Sequence, residues 1–218
     1  MNIEQARFNM IEQQIRTWEV LDQSVLDLLA RVPREEFVPP AYRKLAFADI
    51  NIPLGHGQVM MQPKVEGRLL QALQIQPRDT ILEVGTGSGY VTALLANLGA
   101  QVCSVDIFPD FTDTARRKLA AHGIGNVTLE TGDAAQGWAA HGPYDVIAVT
   151  GSLPLATTQG FEQSLKVGGR LFVIVGRAPA MEALLITRVD DAQWVRESLF
   201  ETDIPALLNA PQPPAFTL

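Results

Sequence analysis

The segment 80–90 combines residue types and a spacing that would hold a cofactor. An apolar strand leads into Glu83, and three glycines then stand at every second position: Gly85, Gly87 and Gly89. Glycine has no Cβ and tolerates strained turns, so this loop predicts a backbone that a ligand approaches closely. A helix predicted over 88–98 would direct unpaired N–H groups at that ligand. We therefore predict a site for a nucleotide-type or adenosyl-type cofactor; a tight turn without a ligand is the disfavoured alternative.

The glycine spacing favours an adenosyl cofactor over a dinucleotide. A dinucleotide fingerprint reads G-x-G-x-x-G, whereas here Tyr90 stands where its third glycine would be. The G-x-G-x-G form, with an acidic residue two positions earlier, resembles motif I of methyltransferases that use S-adenosylmethionine. Thr86 and Ser88, between the glycines, are assigned to the same site. A nicotinamide-dependent oxidoreductase is the alternative that Tyr90 counts against.

The chain from residue 79 onward alternates predicted strands and helices. Strands are predicted over 80–84, 101–105, 127–131, 144–149 and 170–175, and helices over 88–98, 110–121 and 154–165. This rhythm predicts a doubly wound α/β fold, in which helices cover both faces of a mostly parallel sheet. Two further strands, over 181–189 and 194–201, are expected to be antiparallel and to complete a seven-stranded sheet.

Three regions are expected along the chain. Residues 1–78 are interpreted as an N-terminal helical cap and a substrate loop packed on the main domain, and residues 79–203 as the cofactor-binding domain. The segment 51–63 is predicted to be an irregular loop, of a length that is often functional. Residues 204–218 hold four prolines and are expected to form an extended or partly disordered tail that serves an interface.

The strand ends supply further candidate ligands for the cofactor. In doubly wound sheets a ligand lies beyond the carboxyl ends of the strands. Asp106, with Ile107 beside it, ends the second strand and is predicted to accept hydrogen bonds from both ribose hydroxyls. The alternative role for Asp106 is a helix N-cap.

The third and fourth strands end in turns that suit the same ligand. Gly132, Asp133 and Ala134 follow the third strand, and a carboxylate there suits the exocyclic amino group of adenine. An ordinary turn aspartate is the alternative reading of Asp133. Thr150 and Gly151 follow the fourth strand and are predicted to face the place where the chemistry occurs.

Composition restricts the partners and the compartment. The net charge is −7 and the pI is near 4.9, which argues against a nucleic-acid partner, because such a partner needs a basic stripe. No apolar run approaches the ~18 residues of a membrane span, and the start lacks the apolar stretch of a signal peptide, so the cytoplasm is the default. Cys103 is the only cysteine and is expected in the core, and no metal-ligand spacing is present. Monomer and dimer remain open.

Several segments together resemble the protein-L-isoaspartate O-methyltransferase family. They are Arg-Val-Pro-Arg at 31–34, Phe-Val-Pro at 37–39, Gly-His-Gly-Gln at 55–58, the glycine loop, Gly-Asp at 132–133 and the segments 145–150 and 165–171. The glycine loop is generic to methyltransferases, whereas the first and third segments together are specific to this family. The resemblance covers most of the chain, to about Gly176.

The resemblance implies a function and a set of contacts. The family repairs aged proteins by methylating the α-carboxylate of isoaspartyl residues. It implies S-adenosylmethionine as cofactor, S-adenosylhomocysteine as product, and an isoaspartyl-containing peptide or protein as substrate. The implied cofactor contacts are Glu83, Gly85, Gly87, Asp106 and Asp133. The implied substrate segment contains His56, Gly57, Gln58, Val59 and Met61, together with Thr150 and Gly151.

The sequence differs from the family pattern in two segments that are implied to bind the acceptor carboxylate. The family usually has threonine and serine where this chain has Val59 and Met61, and that serine is its usual active-site hydroxyl. It also usually has Thr-Ala-Ala where this chain has Thr-Gly-Ser at 150–152. Methionine cannot donate a hydrogen bond to a carboxylate, and a lost donor in a closed site costs about 1–3 kcal/mol. The alternative hypothesis is therefore a cofactor-binding paralogue with a different acceptor or little isoaspartyl activity.

The expected chemistry requires no general base. A carboxylate acceptor, with an ordinary pKa near ~4, is already ionised at pH 7. The protein must then align the acceptor oxygen with the methyl carbon and remove water from the carboxylate. No residue is assigned as a catalytic base, and His56 is the only histidine in the predicted substrate loop.

Overall fold

The computed structural model describes residues 2–213 of the chain. Within them the α-helices are α1 (Ile3–Met10), α2 (Gln23–Arg31), α3 (Arg34–Phe37), α4 (Pro63–Leu73), α5 (Tyr90–Leu98), α6 (Pro109–Ala121) and α7 (Gln159–Gln163). The strands are β1 (Ile52–Gly55), β2 (Gln58–Met60), β3 (Thr80–Val84), β4 (Gln101–Asp106), β5 (Val127–Thr131), β6 (Tyr144–Leu153), β7 (Leu165–Arg177), β8 (Ala180–Asp190) and β9 (Gln193–Thr202).

A seven-stranded sheet organises the chain, in the order β5-β4-β3-β6-β7-β8-β9. The first five strands in this order are parallel, and β8 and β9 continue the sheet as antiparallel neighbours of β7. The inner parallel strands are buried and apolar on both faces, as a sheet with helices on both faces requires. The predicted fold class is confirmed, including the antiparallel pair at one edge.

The strand register brings the carboxyl ends of the central strands together. Val84 of β3 lies opposite Val105 of β4 on one side and opposite Val149 of β6 on the other. The residues one position further along, Gly85, Asp106 and Thr150, therefore meet at one edge of the sheet. The strand order runs from β3 outward to β5 on one side and from β6 outward on the other, so the boundary between β3 and β6 is the switch point where such folds bind ligands.

The N-terminal region packs on the sheet through helices with one apolar face. Asp22 caps α2 by accepting hydrogen bonds from the backbone N–H groups of Ser24 and Val25. The buried side of α2 contributes Val25 and Leu29 to a hydrophobic core that also contains residues of α4, α5 and the sheet. The predicted helical cap is therefore present and shares a core with the sheet.

The segment 51–63 is not the irregular loop that we predicted. It forms the hairpin β1–β2, in which Ile52 lies opposite Met60 and Gly55 lies opposite Gln58. The two turn residues, His56 and Gly57, have φ values of 52° and 72°, as the favoured two-residue hairpin turn requires. The prediction was wrong because the turn lacks the Asn-Gly or Asp-Gly pair that usually indicates a hairpin. Its first residue is a histidine, which is uncommon at a positive φ.

Two further boundaries differ from prediction. The helix expected over 154–165 is confined to α7, and β6 extends to Leu153. The first part of the predicted tail is ordered against the end of β6, where Ala206 forms a parallel bridge with Ser152. The rest of the predicted tail, 214–218, lies outside the described residues. None of the described helices has the length and apolar character to cross a membrane.

Candidate active site

A cleft lies at the carboxyl ends of β3, β4 and β6. The glycine loop forms its floor, the ends of β4 and β5 form one side, and the β1–β2 hairpin and the C-terminal segment form the other. Of the residues predicted to contact the cofactor, those that line the cleft are Gly85, Gly87, Asp106, Ile107, Gly132, Asp133, Ala134 and Thr150.

The glycine loop is held against the end of β6 by Thr150. The Thr150 hydroxyl lies 3.0 Å from the carbonyl oxygen of Val84 and 2.7 Å from that of Gly85. Gly85 has φ +103°, and a Cβ at this position would lie 2.4 Å from the Thr150 hydroxyl oxygen. A side chain at position 85 would therefore break this contact and strain the backbone. The missing side chain at Gly85 therefore makes room for Thr150, while the residue itself lines the cleft.

Asp106 braces the same loop from the other side. One carboxylate oxygen accepts a hydrogen bond from the Gly87 N–H at 2.8 Å, and the other accepts one from the Phe108 N–H at 3.0 Å. Burial raises the pKa of this carboxyl group above its ordinary value. Each carboxylate oxygen has a second lone pair, so the group can also accept hydrogen bonds from a ligand in the cleft.

Asp133 occupies the end of β5 in a similar way. One of its oxygens accepts a hydrogen bond from the Ala135 N–H at 3.1 Å, and the other accepts one from the Asn209 side-chain amide at 2.9 Å. Asp106 and Asp133 thus place two carboxylates along one wall of the cleft. This pattern suits a ligand that offers hydroxyl and amino donors.

Glu83 lies beneath the glycine loop and lines no part of the cleft. Its side chain is 0% exposed, and one oxygen accepts hydrogen bonds from the hydroxyls of Thr92 (2.5 Å) and Ser104 (2.6 Å). The Ser104 hydroxyl also lies 2.6 Å from that of Thr86 in the loop. Glu83 therefore supports the loop from below, and a direct contact with the cofactor stays a prediction. Burial raises its pKa to about 8.

This buried carboxyl group predicts a pH dependence of stability. The folded state keeps a proton that the unfolded state, with the ordinary value of 4.5, has released. The free energy of unfolding should therefore fall as pH rises from about 4.5 to about 8, by up to ~1.4 kcal/mol per pH unit from this group. We expect Glu83→Gln, which stays neutral, to remove that slope in urea unfolding measured from pH 5 to 8. Glu197→Gln, on exposed β9, should keep it; equal slopes in all three proteins would contradict the assignment.

The β1–β2 hairpin covers the glycine loop. Leu54, Gln58 and Val59 line the cleft, whereas the turn residues His56 and Gly57 do not. The His56 ring stacks on Phe108, with 4.0 Å between ring centroids, and its Nε2 lies 3.1 Å from a carboxylate oxygen of Asp110. These two contacts tie the hairpin tip to the start of α6, which is a structural role.

Met61 lies in a smaller cavity, of about 280 Å³, directly beside the cleft. The predicted residues Thr86, Ser88, Val59 and Thr150 line it as well. The Met61 side chain is 4% exposed, so the position of the predicted family hydroxyl carries a buried thioether. Gly89, just before α5, lines neither cavity and packs against Ala115.

A buried arginine holds the segment that carries Met61. The Arg34 side chain is 0% exposed and pairs with the carboxylate of Glu66. Its guanidinium also donates to the carbonyl oxygens of Met61 (2.6 Å) and Ala46 (2.8 Å). This contact explains physically why an arginine thirty residues upstream belongs to the same sequence pattern as the hairpin.

Eight residues that line the cleft were not predicted as site residues. They are Leu54, Val84, Val105, Phe108, Phe111, Ala135, Leu207 and Leu208. Phe108 follows Asp106 by two positions, so an aromatic residue directly after a ligand-type strand end was an available signal. Nothing in the sequence near Leu207 and Leu208 indicated that the C-terminal segment returns to the cleft.

Cys103, Glu130 and His141 place three ligand-type atoms within 4.8 Å of one another. The Glu130 carboxylate, however, already accepts hydrogen bonds from Trp138 at 2.8 Å and contacts His141 at 2.6 Å. Burial raises the pKa of the Cys103 thiol to about 12. This arrangement anchors the loop before β6 and carries no metal assignment.

Comparisons with known proteins point to one family. A family model described as protein-L-isoaspartate(D-aspartate) O-methyltransferase matches residues 5–204. The chain is 42% identical to the protein-L-isoaspartate O-methyltransferase of Gloeobacter violaceus over 167 residues, covering 77% of this chain and 81% of that protein. It is 38% identical to the Koribacter versatilis enzyme of the same name over 210 residues, covering 96% and 94% of the two chains.

Solved structures agree with this result. A structure named protein-L-isoaspartate O-methyltransferase superposes with a TM-score of 0.76 at 25% identity, over 92% of this chain and 65% of that one. A putative Plasmodium falciparum protein-L-isoaspartate O-methyltransferase, solved with S-adenosyl-L-homocysteine, gives a TM-score of 0.76 at 17% identity, over 95% and 98%, and supports the fold alone. With a match of the family model over nearly the whole chain, this protein belongs to the protein-L-isoaspartate O-methyltransferase family.

Proposed function

We propose that this protein transfers a methyl group from S-adenosylmethionine to the carboxylate of isoaspartyl residues in damaged proteins. One observation carries the proposal: the glycine loop, Asp106, Asp133 and Thr150 meet in one cleft at the switch point of the sheet. The chain also belongs to a family with this activity. A cytoplasmic location and the absence of a nucleic-acid partner stay predictions.

The residues of the cleft fit the cofactor chemically. Gly85 and Gly87 line the cleft without side chains, so a ligand there can contact their backbone atoms. In the proposal Asp106 accepts hydrogen bonds from the ribose hydroxyls and Asp133 accepts one from the adenine amino group. The remaining predicted contacts would pack against the cofactor without hydrogen bonds from side chains; they are Gly87, Ile107, Gly132 and Ala134. Glu83, with Thr86, Ser88 and Gly89, keeps the loop in place.

The protein's part in the reaction is positioning. Bound cofactor supplies a methyl group that is already activated by the positive charge of its sulfur. An isoaspartyl carboxylate is ionised at pH 7, so no residue needs to remove a proton. In the proposal Gln58, Val59 and Gly151 form the acceptor side of the cleft, next to Thr150, and exclude water from it. His56 and Gly57 keep the hairpin in place from outside.

The three regions expected from the sequence take distinct roles in this proposal. Residues 1–78 provide the hairpin and the Arg34 contacts that hold it, and residues 79–203 provide the cofactor cleft. The region 204–218 contributes its first part to the cleft wall through Leu207 and Leu208.

The alternative is a paralogue that binds the cofactor but methylates another acceptor. The buried Met61 favours it, because this position lacks the hydroxyl that the family resemblance implies. Methyl transfer from labelled S-adenosylmethionine to an isoaspartyl peptide, and to the same peptide with normal aspartate, separates the two. Selective labelling of the isoaspartyl peptide supports the proposal. Cofactor binding with neither peptide labelled supports the paralogue, and failure to bind the cofactor overturns both.

Restoring the missing hydroxyls should raise activity. We expect the double variant Val59→Thr/Met61→Ser to raise kcat/KM for the isoaspartyl peptide about tenfold, because a hydroxyl donor to a carboxylate contributes about 1–3 kcal/mol. The KM for S-adenosylmethionine should stay unchanged. Met61→Ala is the matched control, since it opens the same space without a hydroxyl and should not raise activity. A double variant with unaltered isoaspartyl methylation would show that these positions do not limit the reaction.

A further inference from the structure

The segment 204–210, here named the C-terminal strap, is fastened to the end of β6 by Ser152. The Ser152 N–H donates to the carbonyl of Pro205 at 3.0 Å, and its carbonyl accepts from the Leu207 N–H at 2.9 Å. The Ser152 hydroxyl donates to the carbonyl of Ile204 at 3.0 Å. One serine thus makes three hydrogen bonds to the strap, which fixes its path across the cleft.

Gly151 lets the strap approach the site closely. A Cβ at this position would lie 2.6 Å from Cδ2 and 3.1 Å from Cγ of Leu207. Because glycine has no Cβ, the Leu207 side chain occupies that space. Leu207 and Leu208 line the cleft, and Leu208 is 43% exposed.

Asn209 connects the strap to the carboxylate wall itself. Its side-chain amide donates to one oxygen of Asp133 at 2.9 Å, while the Ala135 N–H holds the other oxygen at 3.1 Å. Two donors from different parts of the chain thereby fix the orientation of this carboxylate. Each oxygen retains a lone pair, so Asp133 can still accept a hydrogen bond from a ligand in the cleft.

We propose that Asn209 is a positioning residue of the cofactor site, which orients Asp133 toward the adenine amino group. This inference rests on the proposed function, because it takes the cofactor to be an adenosyl compound. Asn209 has φ +63°, a conformation that asparagine tolerates, so a purely backbone role is the competing explanation.

Two variants of Asn209 separate these explanations. Asn209→Gly keeps the positive φ and removes only the amide, and Asn209→Asp keeps the shape but places a carboxylate against Asp133. We expect calorimetry to show about five- to tenfold weaker binding of S-adenosylhomocysteine for Asn209→Gly, and weaker binding still for Asn209→Asp. The Tm of Asn209→Gly should equal that of the wild type. Gln212→Ala, two residues beyond the strap and hydrogen-bonded to the Ala210 carbonyl, should bind like the wild type.

An analogue without the amino group gives the decisive readout. S-inosylhomocysteine carries an oxygen where adenine has its amino group, so Asp133 cannot accept a hydrogen bond from it there. Asn209→Gly should therefore bind this analogue as the wild type does, and the preference for the adenosyl compound should shrink about five- to tenfold. Equal weakening for both compounds, or wild-type binding by both Asn209 variants, overturns the inference and leaves the proposed function standing. A wild-type protein that binds no S-adenosylhomocysteine overturns both.

Discussion

Replacing Asp106 with alanine is expected to weaken the binding of S-adenosylhomocysteine by about 100-fold or more. The variant removes the proposed acceptor of both ribose hydroxyls, and a hydrogen bond to a charged group contributes about 1.5–3 kcal/mol. It also leaves the Gly87 and Phe108 N–H groups, which position the loop, without their acceptor. A tenfold change in affinity corresponds to about 1.4 kcal/mol, so the two lost hydrogen bonds to the ribose account for about two orders of magnitude. Calorimetric titration of the purified variant measures the effect.

Two control variants make the Asp106 experiment specific. Asp113→Ala removes the same charge from the exposed face of α6, where the carboxylate pairs with the exposed Arg116 side chain, and should change the affinity little. Asp106→Asn keeps an oxygen for the Gly87 N–H but removes half of the acceptor capacity, and should fall between the alanine variant and the wild type. Wild-type affinity in Asp106→Ala would mean that the cofactor does not occupy this cleft.

Replacing Arg34 with methionine is expected to lower the free energy of unfolding by about 3–5 kcal/mol. The change leaves the Glu66 carboxylate as an unpaired charge in the interior, and breaking a buried ion pair on one side costs about this much. It also frees the carbonyls of Ala46 and Met61. Urea unfolding at pH 7 measures the loss, and weaker binding of S-adenosylhomocysteine should accompany it because the hairpin loses its anchor.

The partner of Arg34 supplies the matched control. Arg34→Met combined with Glu66→Met removes both charges and should recover part of the lost stability, because apolar side chains can replace a buried pair at little cost. Arg116→Met breaks an exposed pair with Asp113 and should change stability little. If Arg34→Met and Arg116→Met were equally stable, the buried pair would not have the structural role described above.

The chemistry at the strand ends could be predicted from the sequence because it depends on local order. Each parallel strand is followed at once by its ligand-type residues, so Gly85, Asp106, Asp133 and Thr150 must reach the same edge once the strands pair in parallel. The parallel sheet could also be predicted, because the alternation of apolar strands with helices is visible in local stretches of the sequence. The glycine spacing at 85–89 also depends only on neighbouring residues.

What only the tertiary structure decided concerns residues far apart in the sequence. The buried position of Glu83, the contact of Arg34 with the Met61 carbonyl and the bond from Asn209 to Asp133 each join separate segments. A local sequence pattern cannot predict such a contact, because the packing of distant segments determines which residues meet. The sequence by itself determined the cofactor edge of the sheet, and packing decided which segments from the two ends of the chain close over it.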